Sequence, residues 1–153
     1  MHIVSQLRLI VVILFLFGVV GNVAVYWQLD RMTSDGRVVN FAGIVRGATQ
    51  RLVKLELAGN SPEAAPLRAR LDLIVTGLIN GDPTLMLPQA TDVEFLSKMK
   101  QVEAQWEGLK HTMARASTDP AIREVLLHES ENYFKLTNDT VSAAETYSKG
   151  KVL

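Results

Sequence analysis

The sequence predicts an all-α protein: a membrane-anchored antiparallel four-helix bundle whose first helix is continuous with an N-terminal transmembrane helix. An uncharged apolar run near the amino terminus is long enough to span a bilayer. After it, four stretches repeat apolar residues at the three- and four-residue spacing of helices, and none alternates as strands do. The 153 residues, 48% of them hydrophobic, suffice for one domain with a core.

Composition excludes several classes of protein. The 16 Lys and Arg residues balance the 16 Asp and Glu residues, so no net charge attracts nucleic acid or an anionic surface. Recognition by charge must therefore be local. The sequence has no cysteine, which excludes disulfides and thiolate catalysis.

The apolar run covers residues 9–29, "LIVVILFLFGVVGNVAVYWQL". At ~1.5 Å per residue its roughly 21 residues extend about 31 Å, against ~30 Å for a bilayer core. Tyr26 and Trp27 close the run as interfacial aromatic residues do. A cleaved signal peptide, the alternative, has a shorter apolar core and a small-residue cleavage site. We therefore expect an uncleaved transmembrane helix at residues 9–29.

The orientation of this helix follows from the layout of the chain, because Arg8 on one side faces Arg31 and Arg37 on the other. A short tail before a much larger domain favours an amino terminus inside the cell. Residues 1–8 are then a short cytoplasmic N-terminus. Residues 30–153 form a domain on the periplasmic or extracellular side of a bacterial inner membrane.

The first two helices of this domain are predicted at about 30–58 and 62–79. Apolar residues of the first recur in two heptad registers, Val38, Val45 and Leu52 with Phe41, Ala48 and Leu55. Gly59 is predicted as its C-cap, and Ser61 as the N-cap of the second helix with Pro62 at the first helical position. Leu67, Leu71, Ile74 and Leu78 share one face of the second helix.

Residues 81–90 contain two prolines and no periodicity, which predicts a loop. Thr91 and Glu94 fit a capping box at the start of a third helix, about 92–116. Met99 and Trp106 lie on its apolar stripe and are predicted as core residues. A fourth helix follows Pro120, at about 120–149, and short connections make an up-down-up-down bundle the expected arrangement.

We predict no catalytic residues, no metal site and no cofactor, so this segment is not expected to be an enzyme. His2, His111 and His128 are scattered, without the spacing of a zinc site. Glu129 and Glu131 lie near His128, at spacings that place them on different helix faces, which predicts a solvated surface. Asn138 begins a glycosylation sequon, a short motif that matches often by chance.

The first helix carries an unusual second face, opposite its heptads: Gly36, Asn40, Gly43, Arg46, Gly47 and Gln50. Each helical glycine costs about 1 kcal/mol relative to alanine, so we expect a compensating close approach of the same helix from a second subunit. Two Arg46 guanidiniums would then repel unless a small anion lies between them. The alternative is that the glycines ease packing within the monomer and that Arg46 is a solvated surface residue.

The run "VNFAGIVRGATQRL" (39–52) resembles the first motif of the PilJ/NarX-type sensor domain, found in nitrate/nitrite sensor kinases and in type IV pili methyl-accepting transducers. The family pattern is approximately N-x-A-G-x-x-R-x-x-S-Q-R-L. Its matches here are Asn40, Ala42, Gly43, Arg46, Gln50, Arg51 and Leu52, with Thr49 in place of serine. Residues 87–110 and 133–148 are similar to the family's proline-containing loop with third helix and to its last helix.

The resemblance implies a homodimeric four-helix bundle that binds one anion between two copies of the motif arginine. Carried over, Arg46 is the ligand-binding candidate, with Gly43, Gly47, Gln50 and Asn40 around it. The sequence departs from the nitrate-sensor form at Gly47, Ala48 and Gln50. The implied ligand is therefore a small anion, such as nitrate, nitrite or a related species.

The resulting hypothesis is the extracytoplasmic input domain of a bacterial signal-transduction protein: a two-component histidine kinase, a diguanylate cyclase or a chemoreceptor. It requires an output domain, so we expect a second membrane helix and that domain beyond Leu153. The competing hypothesis is a membrane-anchored dimeric scaffold, or a pilus-associated interaction module, without a small-molecule ligand. A third is a domain that senses a protein such as a pilin.

Overall fold

The computed structural model describes residues 2–150 as four helices: α1 (His2–Leu57), α2 (Ser61–Asn80), α3 (Val93–Ala116) and α4 (Ile122–Gly150). No strand occurs within these residues, and their one isolated bridge joins Asp82 to Leu87. The predicted all-α class is confirmed. The second membrane helix and the output domain predicted beyond Leu153 lie outside the described residues.

The chain divides into two compact units, residues 1–33 and 34–153. The first unit is the amino-terminal part of α1. By length and composition α1 can cross a membrane: its most apolar window has a mean hydropathy of 2.6, and none of that window is buried in the protein. Side chains such as Phe15 and Phe17 are largely exposed, which water disfavours and lipid does not.

The second unit is an antiparallel bundle. Going along α1 from Arg46 to Gln50, the hydrogen-bonded partners on α4 run backward from Asn138 to Ser130. The other neighbouring helices are joined by Arg51 with Glu63 (α1 and α2), Asp72 with Trp106 (α2 and α3), and Trp106 with Tyr133 (α3 and α4). Each helix therefore lies beside its neighbours in sequence, and α4 closes the bundle against α1.

The core confirms the predicted stripe of α3. Met99 and Trp106 are each 1% exposed, and the same face buries Phe95, Val102, Leu109 and Met113. Burial of such side chains is worth about 1.5–3 kcal/mol each, so α3 is a central contributor to stability.

The buried face of α1 differs from the predicted heptads. Val45 and Leu52 are buried, but Phe41, Ala48 and Leu55 are only partly buried. The remaining buried positions of α1 among the described side chains are Asp35, Ala42, Thr49 and Val53. The difference arises because α1 must contact both α2 and α4, which fixes its rotation about its own axis. The side turned inward is therefore displaced from the predicted second register toward α4.

Two of the predicted caps are wrong and one is confirmed. Gly59 ends α1 with a φ of 72°, and the amide of Asn60 donates to the carbonyl of Leu55, as in a Schellman motif. α2 begins at Ser61, so Asn60 holds the N-cap position, without a side-chain hydrogen bond. At α3 the cap is Asp92, whose carboxylate accepts from the Phe95 amide at 2.8 Å. An ionised carboxylate is the stronger acceptor for that amide.

The loop between α2 and α3 is held by backbone hydrogen bonds. Asp82 and Leu87 exchange bonds of 2.8 and 2.9 Å, and Leu87 is buried. The reversal begins at Gly81, which has a φ of 80°. A Cβ at Gly81 would lie 2.9 Å from the backbone nitrogen of Gln89. Both backbone conformation and space therefore require glycine there.

We expect Gly81→Ala to lower the free energy of unfolding by about 2 kcal/mol or more, because it adds a backbone clash to a left-handed conformation. Gly59→Ala is the matched control: its φ is also positive, but no atom lies within 4 Å of the added Cβ. Gly59→Ala should lower the free energy of unfolding by only about 1 kcal/mol. Chemical denaturation of the full chain in detergent micelles measures both, and equal losses would contradict the clash.

Candidate functional site

The glycines of the second face of α1 point into open space. A Cβ added at Gly36, Gly43 or Gly47 would meet no atom within 4 Å. Asn40 and Gly47 are exposed, and Gly43 is half-buried. These glycines therefore do not serve close packing against the described part of the same chain.

Arg46 lies at one edge of this face and reaches across to α4. Its Nη1 donates to the Asn138 side-chain oxygen at 2.8 Å, and its guanidinium carbon lies 6.0 Å from the centre of the Phe134 ring. The ion pairs found between described residues do not include Arg46. The guanidinium is thus oriented by a neutral amide and an aromatic ring while its charge is not neutralised by a carboxylate.

Gln50 lies one turn further along and also contacts α4. Its Nε2 donates to the backbone carbonyl of Ser130 at 3.0 Å. The sequence prediction placed Arg46 and Gln50 on a face turned toward a second copy. In the structure both sit where that face meets α4, with Gly43, Gly47 and Asn40 on its open side. The sequence held no signal for these α4 partners, which are 80 and 92 residues away.

A cleft between α1 and α2 borders the other edge of the glycine face. It encloses about 410 Å³. Its lining is Ile44, Gly47, Ala48, Arg51, Leu67, Arg70, Leu71 and Ile74. Arg51 pairs with Glu63 at 3.3 Å, but both side chains are mostly exposed, so the pair contributes little.

Beneath this surface, a buried hydroxyl pair joins α1 to α4. Thr49 and Tyr133 are 0% and 1% exposed, and neither hydroxyl makes a full hydrogen bond within the described structure. Burial raises the pKa of the Tyr133 hydroxyl far above its usual value, and interaction with the Thr49 hydroxyl only partly offsets this. The hydroxyl of Tyr133 is therefore neutral at every physiological pH.

A charged cluster joins α2 to α3 on the far side of Trp106. One carboxylate oxygen of Asp72 accepts from Trp106 Nε1 and from Lys110 Nζ, each at 2.7 Å. Burial lowers the pKa of Lys110, but hydrogen bonds and charges from Asp72 and Glu107 raise it above its usual value overall. Lys110 therefore stays protonated and pairs with the Asp72 carboxylate beside the indole.

Of the five residues predicted to be solvated, three are exposed in the structure and Glu129 is not. His111, His128 and Glu131 are exposed, and the side chain of His2 lies outside those described. Within the described residues no His, Asp or Glu side chains group as metal ligands. Glu129, predicted as solvated, instead buries one carboxylate oxygen, which has no hydrogen-bond partner within the described residues.

Comparison with protein-family models gives a match. The model of the type IV pili methyl-accepting chemotaxis transducer N-terminal domain, PilJ, matches residues 27–133, more than half of the chain. The match includes Arg46 and all of α2 and α3. Comparisons with curated proteins and with solved structures gave no match.

The buried Tyr133 hydroxyl predicts a loss of stability at high pH. The unfolded chain releases this proton near pH 10, whereas the folded chain holds it to higher pH. The contribution of the buried neutral hydroxyl to the free energy of unfolding is therefore complete below about pH 10. Above that pH it falls by up to about 1.4 kcal/mol per pH unit. Tyr133→Phe removes this dependence. Unfolding free energies of both proteins from about pH 8 to about pH 11 test it, and parallel curves would contradict it.

Proposed function

Because the chain belongs to the family of type IV pili methyl-accepting chemotaxis transducer N-terminal domains, we propose that residues 30–153 form the extracytoplasmic input domain of a bacterial signalling protein. Residues 9–29 anchor it in the inner membrane, with residues 1–8 in the cytoplasm. The domain binds a small anion, such as nitrate or nitrite, and controls a kinase, cyclase or chemotaxis output.

The observation that carries this proposal is the uncompensated charge of Arg46. A guanidinium has five N–H donors, and hydrogen bonds to Asn138 use only Nη1. The cation is half-buried, and no acidic side chain of the described residues pairs with it. A small oxyanion satisfies both requirements at once, since it accepts several N–H groups and neutralises the charge.

The open glycine face supports a dimer at the same place. Gly43 and Gly47 leave room for a second backbone along α1. The cleft beside Gly47 gives further room, since side chains of the second copy can enter it. In a two-fold arrangement around this face, two Arg46 side chains approach each other, and one anion between them removes their repulsion.

The contacts of Arg46 and Gln50 supply a route from the ligand to α4. An anion that draws the guanidinium toward the dimer axis competes with Asn138 for its N–H groups. That competition changes the free energy of one placement of α1 against α4 relative to another. The Gln50–Ser130 hydrogen bond depends on the same placement. A switch from 1:99 to 99:1 needs a ligand preference of about 5.5 kcal/mol for one of the two placements.

Anion binding predicts ligand-dependent melting of the full chain in detergent micelles. At ten times its dissociation constant, nitrate or nitrite should raise the melting temperature by roughly 3–6 °C relative to chloride. Arg46→Ala should abolish this rise, because it removes the cation. Arg51→Ala, which removes a cation already paired with Glu63, should keep it.

A rise that persists in Arg46→Ala would place the anion elsewhere. No rise with any oxyanion of a broad panel would reject the ligand and favour the scaffold or protein-sensing hypothesis.

Dimerisation through α1 predicts a steric effect at Gly43. Gly43→Leu should weaken self-association at least tenfold, because a branched side chain separates the two backbones. Folding should be retained, since an added Cβ meets no atom of the same chain. Ala69→Leu, which introduces the same side chain at an exposed position of α2, is the control. Sedimentation equilibrium in detergent measures both, and an unchanged dimer in Gly43→Leu would contradict this interface.

A further inference from the structure

The loop between α2 and α3, residues 81–92, lies at the end of the bundle where α1 enters it and α4 finishes. We call it the basal loop. Its Gln89 and Thr91 border a cavity of about 190 Å³ together with Asp35 of α1 and Tyr147 of α4. The hydroxyls of Thr91 and Tyr147 are also joined by a hydrogen bond of 3.1 Å. The basal loop therefore contacts both helices at this end of the bundle.

The same end of the bundle presents exposed apolar side chains without charge. Met86 is 62% exposed, and Val93, the first residue of α3, is 82% exposed. Among the described side chains of residues 34–149, these are the two most exposed large apolar ones. Residues 83–91 contain no charged residue. Contact with an apolar surface would therefore remove Met86 and Val93 from water without burying a charge.

Hydrogen bonds and packing hold Met86 at the surface of this loop. Its neighbour Leu87 is buried, and its neighbour Leu85 packs partly buried against the core. The Leu85 amide donates to Asp82 Oδ1 at 2.8 Å, and the Met86 amide donates to the Pro83 carbonyl at 3.2 Å. The turn is therefore fixed from both sides, and the exposure of Met86 is a property of the fold.

The backbone of Met86 is in a conformation that favours other residues. Its φ is 51°, and among the described residues no other non-glycine residue has a positive φ. Glycine and asparagine adopt this left-handed conformation more readily than methionine does. An exposed methionine thus serves neither the turn nor the core. Apolar contact with a surface outside the bundle does explain it.

The length of the chain between the proposed membrane helix and the bundle identifies that surface. Asp35, beside the basal loop, is six residues after Leu29, the last residue of the proposed anchor. Six residues span at most about 20 Å, and the headgroup layer of one leaflet occupies about 5–7 Å. So short a connection keeps a lipid surface at high effective concentration beside this end of the bundle.

We propose that the basal loop inserts into the membrane leaflet on the side of the domain, with Met86 and Val93 at the boundary between headgroups and acyl chains. The inference rests on the proposed anchor at residues 9–29. Methionine is flexible and polarizable, which suits an irregular lipid surface. Because residues 83–91 carry no charge, neutral lipid suffices for the contact.

Lipid contact at the basal loop acts on the two helices to which the proposed function assigns the signal. Through Asp35 and Tyr147 the loop borders both α1 and α4, so its insertion sets the position of their ends against the leaflet. The contact between Arg46 and Asn138 lies about three turns further along α1. Loss of the anion site therefore leaves the lipid contact in place, and the two proposals fail separately.

The sequence has no cysteine, so a single introduced cysteine carries a fluorophore at one chosen position. The full chain is labelled with an environment-sensitive fluorophore in phosphatidylcholine nanodiscs that contain doxyl-labelled lipid as quencher. A label at Met86→Cys should be quenched at least about twofold more strongly than one at Thr118→Cys, an exposed position between α3 and α4. Val19→Cys, within the proposed anchor, reports separately whether residues 9–29 are in the membrane.

A label at Thr84→Cys, also exposed, tests Met86 without replacing it by the fluorophore. Its quenching should fall at least about twofold when Met86→Asn is added, because asparagine keeps the left-handed turn but removes the apolar side chain. Met86→Asn should melt at or above the temperature of the unmodified protein, which distinguishes lost insertion from misfolding.

The proposal is overturned if Val19→Cys is quenched but Met86→Cys is quenched no more than Thr118→Cys, a result that leaves the anchor intact. An unquenched Val19→Cys rejects the anchor itself, and the lipid contact with it. Blue-shifted emission at Met86→Cys without quenching by lipid assigns the loop to a protein surface instead. Quenching at Thr84→Cys that persists with Met86→Asn also contradicts the proposal.

Discussion

A series of side-chain contacts centred on Trp106 crosses all four helices of the bundle. Asp72 of α2 accepts from the indole N–H, the indole ring packs 6.1 Å from the ring of Tyr133 on α4, and the Tyr133 hydroxyl meets Thr49 on α1. The first link is a charge-assisted hydrogen bond to a partly exposed carboxylate, and the second packs two buried rings together. The last is a hydroxyl pair short of a full hydrogen bond. In this layer α1 is therefore held by the weakest of the three contacts.

That asymmetry gives the edge of α1 its importance. With a weak link in the centre, hydrogen bonds from Arg46 and Gln50 fix α1 against α4 laterally. One of them comes from the group to which we assign the anion. A ligand changes a conformational equilibrium only through contacts that differ between the two states, and in the proposed function the Arg46–Asn138 bond is such a contact. Under that proposal, recognition and helix position depend on the same side chain.

The sequence predicted the features that depend on local periodicity. The stripe of α3, with Met99 and Trp106 in the core, repeats at helical spacing and needs no knowledge of its neighbours. Gly59 likewise marked the end of α1 by a purely local signal.

Features that depend on lateral packing were predicted less well. The burial of Thr49 and the partial exposure of Phe41 follow from how α1 is rotated between α2 and α4, which heptad spacing does not determine. Glu129 was predicted to be solvated because its spacing from Glu131 gave no common face, whereas tertiary packing buries one of its oxygens. The partners of Arg46 could not be predicted for the same reason. The antiparallel packing of α1 and α4 brings Asn138 next to Arg46 although the two are far apart in the sequence.

The helical glycines that face open space have a consequence for engineering the stability of this protein. Gly43, Gly47 and Gly108 each accept a Cβ without a clash, so any procedure that raises helix propensity selects them first. Three alanines would add about 3 kcal/mol at most, a large fraction of the stability of an ordinary domain. The same substitutions narrow one cleft and thicken the outer face of α1. A variant chosen for heat resistance alone would thus be selected toward a more stable bundle with fewer places to bind.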